Sequence, residues 1–432
     1  MGVGITEKES VDELCDILFN PENPDGLHLN IVRYNIGGSN KDTKPMRRGG
    51  NVPEYSSDWE LDDKNQVYFL KKSFDCGARV FEAFANSPPM YMTKSGQTSG
   101  SNPWGSLKRF GNIGFSNNLQ SNKIEEFTTY LVNITQFLMK KGIPFTSISP
   151  INEPSGPGWV NGNNQEGCFY DFLGIRRRVF SSLRKKLEGT GLEIAGFEEN
   201  NMLQALIGMI INPFIKVDRY NVHRYTIGNA LGFNTNGVED SNIFRRIIRY
   251  LQGKTPIWMS EAGFGYGPGI TNYKDIQNSI NFAEKVIDDL NFLKPSAWIY
   301  WQVIEDLSNN GWGCMQVDFN NPKNRIYGSQ FTAFQHFTHF IKPGWQLIDV
   351  KQPKNKKIKI VVAINPRTTI KSIVVVSSDT IDNEININAT IFKRMESTGD
   401  KTSTKVIVEN SSKDVESLKI KANSVTSVMF MN

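Results

Sequence analysis

The 432-residue chain is long enough to bury a large core and to hold more than one domain. It is 39% hydrophobic and 22% charged, which suits a globular fold, and its formal charge of +5 is mild for this length. No basic stripe with interleaved aromatics is present, so nucleic acid is not an expected partner, and no apolar run of about 18 residues exists, so no membrane span is expected.

The first residues, Met1-Gly2-Val3-Gly4-Ile5-Thr6, lack the basic start and apolar run of a signal peptide. A helix is predicted over 10–19, followed by β-prone runs over 29–36, 79–84, 145–151, 193–197, 219–223, 257–261 and 297–302. Amphipathic helical patterns lie between them, as at 124–141 and 278–293. This βαβα order implies a parallel sheet with helical crossovers. The runs end in polar or unusual residues: Asn152-Glu153, His223-Arg224-Tyr225 and Trp301-Gln302. Barrel strands carry the active site at their carboxyl ends, so the pattern favours a (β/α)8 TIM barrel over a doubly wound sheet. Seven strands are placed, and the first should precede residue 29. Either residues 1–6 are what remains of a truncated first strand, or the sequence begins inside the domain.

After Pro343-Gly344 helical periodicity stops. Short alternating runs at 356–364, 370–377, 384–393, 405–409 and 424–430, punctuated by Asn, Asp, Ser and Gly, predict an all-β sandwich. The expected fold class is α/β: a catalytic barrel over 1–343 with a β-sandwich over 344–432 packed on its side. The four cysteines (Cys15, Cys76, Cys168, Cys314) show no metal-ligand spacing, and the four histidines form no cluster. No metal and no cofactor are expected; disulfides and buried thiols both remain open readings.

Chemistry concentrates in two segments, Ser149-Pro150-Ile151-Asn152-Glu153-Pro154 and Ile257-Trp258-Met259-Ser260-Glu261-Ala262-Gly263. Each glutamate ends a β-prone run and opens a Gly/Pro-rich loop. Proline after Glu153 biases that residue away from αR and out of a helix. A glycosidase needs one protonated carboxyl to serve the leaving oxygen and one ionised carboxyl at the anomeric carbon. Glu153 is the expected acid/base, its pKa raised by a nearby carboxylate and partial burial; Glu261 is the expected nucleophile, held ionised by hydrogen-bond donors. The bland alternatives are a surface loop glutamate at 153 and a strand-end ion pair at 261. Asn152 could donate to a sugar hydroxyl. His223 and Tyr225 share one strand face, which would let the tyrosine hydroxyl reach Glu261. Arg33, inside an apolar run, needs an acidic partner such as Glu261, and Trp301 offers a flat face to a pyranose ring.

With those residues in place the chain resembles glycoside hydrolase family 30, in the clan of retaining β/α-barrel glycosidases. The likeness runs over roughly residues 10–432. It rests on Leu29-Asn30-Ile31-Val32-Arg33-Tyr34-Asn35-Ile36-Gly37-Gly38, on the run from Phe81 to Met92, on the two glutamate strands and on Ser424-Val425-Thr426-Ser427-Val428. The Asn86-Ser87-Pro88-Pro89 loop and Gln165-Glu166-Gly167-Cys168 are similar to the endo-β-1,6-galactanase branch. The resemblance implies a retaining double displacement on β-1,6-linked galactan, with Glu153 and Glu261 catalytic. Arg33, Asn86, Asn152, His223, Tyr225 and Trp301 would bind substrate. It also implies an extracellular enzyme whose partner is a β-linked polysaccharide; a monomer is expected. β-1,6-Glucanase, glucosylceramidase-like and xylanase activities are alternatives, as is a non-catalytic carbohydrate-binding barrel.

Overall fold

The computed structural model describes residues 5, 7–38, 66–102, 116–156, 158–163, 165–225, 240–263, 272–307 and 312–431. Seven parallel strands pair in chain order: β1 Ile31–Asn35, β2 Val80–Phe84, β3 Phe145–Ser149, β4 Glu193–Glu199, β5 Arg219–His223, β6 Ile257–Ala262 and β7 Ala297–Tyr300. Intervening helices such as Ile124–Lys140 and Ile175–Leu187 make the crossovers, and the sheet forms a nearly closed, TIM-like barrel. Side-chain caps start three of the described crossover helices: Asn201 accepts from the Gln204 amide, Ser241 from the Phe244 amide and Asp275 from the Gln277 amide. Residues 1–4 and 6, where the truncated first strand was expected, lie outside the described residues.

Packing groups the chain into two units: Met1–Cys15, Asn30–Ala262 and Pro295–Tyr300 form one, and Asp16–Leu29, Gly263–Lys294 and Trp301–Asn432 the other. Residues 16–29, 263–294 and 301–343, which the sequence reading groups with the barrel, thus cluster with 344–432. Part of the reason is local, because helices Ile276–Asp288 and Ser329–Thr338 pack on the sheet of that second unit.

The second unit contains a small sheet that the sequence reading missed. It comprises β8 Ile304–Asp306, β9 Met315–Asp318 and β10 Asn321–Tyr327. Its main body is one antiparallel sheet of β11 Gln346–Ile348, β12 Ile358–Ile364, β13 Lys371–Ser377, β14 Asn383–Gly399, β15 Thr404–Glu409, β16 Lys413–Ile420 and β17 Ser424–Met431. The 17-residue β14 serves both halves: its first part pairs with β16 and its last part with β15, with register shifts between. The expected sandwich is therefore a single sheet folded through one long, bulged strand. Its core is made of alternate residues: Ile358, Ile360 and Val362 of β12, Ile373 and Val375 of β13, Leu418 and Ile420 of β16, and Val428 and Phe430 of β17. None of the four cysteines is joined in a disulfide, and no described helix is long and apolar enough to cross a membrane.

Candidate active site

The barrel interior is filled with ions rather than aliphatic side chains. Alternation along β5 puts Arg219, Asn221 and His223 in one row, and Ser147 and Ser149 of β3 form another. Arg33 of β1 and Glu82 of β2 stand opposite each other in the parallel register and bond at 2.7 Å. Glu82 also accepts from Arg219, from Ser147 at 3.1 Å and from Asn221 at 3.0 Å. Arg219 lies over the Trp258 ring, 3.4 Å from its centroid.

Next along the barrel comes Glu198, with no solvent exposure. It accepts from Arg33, Ser149 and Ser260 at 2.7 Å each and from Asn221 at 2.6 Å, and His223 Nε2 lies 2.8 Å away. Burial pushes its pKa up, but the charges of Arg33 and His223 and the His223 and Ser260 hydrogen bonds outweigh burial. The net effect holds Glu198 well below the usual carboxylate range. With both oxygens occupied, it is a fixed counter-ion.

Glu153 and Glu261 differ in that each keeps a little exposure, 8% and 6%. Glu153 sits in the left-handed region with φ 42°, out of the helical basin as the following proline requires. Its amide donates to the Glu198 carbonyl at 2.8 Å, and its own carbonyl accepts from the Trp159 indole at 2.7 Å. Trp159 in turn lies flush on Gly167, where a Cβ would fall 2.1 Å from the ring, so only glycine fits there. The Glu153 carboxylate takes Asn200 at 2.7 Å and faces His223 Nδ1 at 3.1 Å, both through Oε1, and Oε2 has no bond to a described residue. Glu261 accepts from the Tyr225 hydroxyl at 2.8 Å through Oε1 and from Arg33 at 3.3 Å through Oε2.

Simple alternation would send neighbours 260 and 261 to opposite faces. Both reach the interior because the ladders are irregular there: register shifts fall between Val222 and His223, between Met259 and Ala262, and between Phe197 and Glu199. Glu198 likewise has φ 58°. Bulges at strand ends re-aim side chains in this way.

His223 is fully buried between these carboxylates. Burial disfavours its charged form, but the charge of Glu261 and the hydrogen bonds to Glu153 and Glu198 prevail and raise its pKa to about 10. Both ring nitrogens face carboxylate oxygens, which only the imidazolium can satisfy with two donors. The interior then holds three cations, Arg33, Arg219 and His223, against four carboxyls, Glu82, Glu153, Glu198 and Glu261. Glu198 and Glu82 are paired with arginines. Glu153 and Glu261 are the pair left facing each other across His223, and one ligand atom of each of the three lies within 4.8 Å of the others. Burial raises the Glu261 pKa, His223 lowers it, Glu153 raises it, and Arg33 and Tyr225 lower it; the net direction is up. The donors expected to keep Glu261 ionised are present, but burial outweighs them. The same three residues have the spacing of a cation site, yet both His223 nitrogens are turned onto carboxylates and offer no lone pair.

The remaining expected substrate ligands fall in different places. Asn152 is buried beside Glu153, and its Oδ1 has no hydrogen-bond partner among the described residues. Arg33, expected to meet substrate, is spent on Glu82, Glu198, Glu261 and the Ser260 carbonyl. Asn86 is half-buried just beyond β2. Trp301 directly follows β7, is half-buried, and belongs to the second unit. The sequence reading missed Glu82, Glu198, Asn200, Arg219, Asn221 and Ser260. A charged residue in the middle of Val80-Phe81-Glu82-Ala83-Phe84 and the polar run Glu198-Glu199-Asn200-Asn201 at a strand end were the available signals.

A sequence profile for O-glycosyl hydrolase family 30 matches residues 5–207. An endo-β-1,6-galactanase of Hypocrea rufa is 28% identical over 374 residues, covering 78% of this chain and 70% of that protein. An exo-β-1,6-galactobiohydrolase of Bifidobacterium longum subsp. longum is 23% identical over 79% of this chain; the match spans 29% of that longer protein. Among solved structures, a conserved exported protein from Bacteroides fragilis superposes with a TM-score of 0.78 at 20% identity, covering 99% of this chain and 94% of its own. Over residues 5–207 the chain thus resembles glycoside hydrolase family 30, and it is an O-glycosyl hydrolase on a TIM-like barrel.

Proposed function

We propose that the protein is a retaining endo-hydrolase of β-1,6-linked galactan that acts outside the cell, with Glu261 as nucleophile and Glu153 as acid/base. The observation that carries this reading is that a carboxylate oxygen of Glu153 and one of Glu261 lie within 4.8 Å of each other. Retaining enzymes hold their carboxyls about 5–5.5 Å apart, whereas inverting ones need about 6.5–9.5 Å to admit a water. Glu261 attacks the anomeric carbon while Glu153 Oε2 gives its proton to the departing oxygen, leaving a glycosyl ester and a Glu153 carboxylate. Glu153 then takes a proton from water as that water attacks the same carbon and releases Glu261. In the first step negative charge passes from Glu261 to Glu153, and His223 lies against both. Its positive charge therefore serves both states with little reorganisation. The unpartnered Asn152 oxygen beside Glu153 suits a sugar hydroxyl.

Both relatives named above are described by β-1,6-galactan activities, which supports that linkage and sugar. A substrate of cell-wall type supports an extracellular location. The test is hydrolysis of β-1,6-galactan beside β-1,6-glucan and xylan, with the first-formed anomer read by proton NMR. The β-anomer is expected first; the α-anomer first would overturn double displacement. A ladder of oligomers is expected, and release of a single disaccharide would replace the endo reading with an exo one. Glu261→Gln should lower turnover by on the order of 10⁴-fold or more while the fold persists. Binding without any product from the unaltered protein would mean a carbohydrate-binding barrel.

A further inference from the structure

Two neighbouring helices of the barrel unit each carry a second apolar stripe that faces solvent. On Met202–Ile211 and the turn after it, Ile207, Ile210, Ile211 and Phe214 recur at i, i+3, i+4 and i+7 and are 38%, 61%, 38% and 81% exposed. On Asn242–Leu251, Ile243, Ile247, Tyr250 and Leu251 recur at i, i+4, i+7 and i+8 and are 68%, 38%, 84% and 43% exposed. The other sides of these helices, with Ala205, Leu206, Met209 and Ile248, are buried. The helices pack against each other. Eight of the seventeen large hydrophobic residues exposed among the described residues therefore fall between 207 and 251. An exposed apolar patch of this kind marks a contact surface.

The surroundings of the patch are basic. Arg246 and Arg249 are exposed among the apolar positions of the second helix, and Lys216 and Lys254 follow the two stripes. Segments 200–217 and 241–254 contain no acidic residue. Asp218, next to the first segment, pairs with Arg184, and Asp240, next to the second, pairs with Arg224 and Arg245. A second copy meeting this face about a two-fold axis would set arginine against arginine. A surface both anionic and apolar just beneath is complementary. We propose that this face docks the protein on the surface of an anionic lipid bilayer. Phe214 and Tyr250 enter the boundary between headgroups and acyl chains, and Arg246, Arg249 and Lys216 meet the lipid phosphates.

The full chain is sedimented with vesicles of phosphatidylcholine and phosphatidylserine in equal parts, and separately with vesicles of phosphatidylcholine alone. Binding to the mixed vesicles should be about tenfold tighter or more and should weaken as salt is added. The double variant Phe214→Glu/Tyr250→Glu changes two of the most exposed side chains, so its thermal midpoint should match that of the unaltered protein while vesicle binding is lost. Arg246→Glu/Arg249→Glu should erase the preference for the anionic vesicles. Equal binding to both vesicles, or none to either, overturns the proposal. So does a dimer in solution that the Phe214→Glu/Tyr250→Glu variant dissociates, because the patch would then be a self-association surface.

Discussion

The barrel interior and the C-terminal sheet are both closed to water, yet they are filled by opposite chemistries. The sheet core is Ile, Val, Leu and Phe at alternate positions, and it asks only for shape and volume. The barrel interior is Arg33, Glu82, Glu198, Arg219 and Asn221, each with a buried side chain and each dependent on its partners. Buried ion pairs of this kind recover little more than their desolvation cost, so an apolar filling would serve stability as well or better. What the ions provide is a set of fixed charges around Glu153 and Glu261. In one region packing yields stability; in the other, stability is at risk and the return is a fixed electrostatic surrounding for two carboxyls.

The largest effect should come from breaking the ion cluster on one side. Glu82→Ala removes the shared partner of Arg33 and Arg219, both nearly sealed from solvent, and leaves two guanidiniums under-compensated. Removing one member of a buried pair costs about 3–5 kcal/mol. Urea unfolding should register a loss of that size, with kcat falling as Arg33 drifts from Glu198 and Glu261. A loss under about 1 kcal/mol would mean the cluster is wet and loosely held, and the contrast with the sheet would fail.

A pH experiment sharpens the same contrast. The pKa of His223 is raised from 6.5 to about 10, so its contribution to stability is complete below pH 6.5 and is lost as pH climbs through 10. Lys342 works the other way: burial and the nearby Lys393 lower it from 10.5 to about 8, so its penalty is present at low pH and is relieved as pH rises past 8. The difference between the unaltered protein and His223→Gln isolates the first effect from the second. Their urea midpoints should lie further apart at pH 7 than at pH 10.5. The variant should also shift the acid limb of activity upward, because His223 lowers the Glu261 pKa. A midpoint gap that does not change with pH would show that His223 is neutral in the fold.

How much of this was legible in the sequence follows from the physics of each part. The seven strands could be placed because β-prone runs and amphipathic helices alternate, and Glu153 and Glu261 stood out because carboxylates are rare at the ends of apolar runs. Glu198 did not, although it too ends a strand: it sits beside Glu199, and nothing in one dimension says which of the two turns inward. Glu198 reaches the barrel interior while Glu199 pairs with Arg176 of a crossover helix, a choice made by the register shift and the positive φ. Arg219 and Glu82 were passed over for a related reason. Their charges cancel across strands far apart in the chain, and single-strand patterning cannot show that. Strands β8 to β10 were missed because Asn321-Pro322-Lys323-Asn324 reads as a turn, yet Asn321 pairs with Asp318 inside the antiparallel ladder.

The smallest expected effect tests the apolar side. Ile360 of β12 is 7% exposed among the sheet-core residues. Ile360→Val keeps a β-branched side chain, so strand preference is preserved and one buried methylene is lost. The cost should be about 0.5–1.5 kcal/mol in urea unfolding, set by how far the neighbouring core residues close the gap. Hydrolysis rate and pH profile should stay as they are, because no charge or hydrogen bond of the barrel interior involves this residue. A rate change beyond about twofold, well above what one methylene in an apolar core supplies, would show that the two regions are energetically coupled. The division of labour between ions and aliphatics would then have to be redrawn.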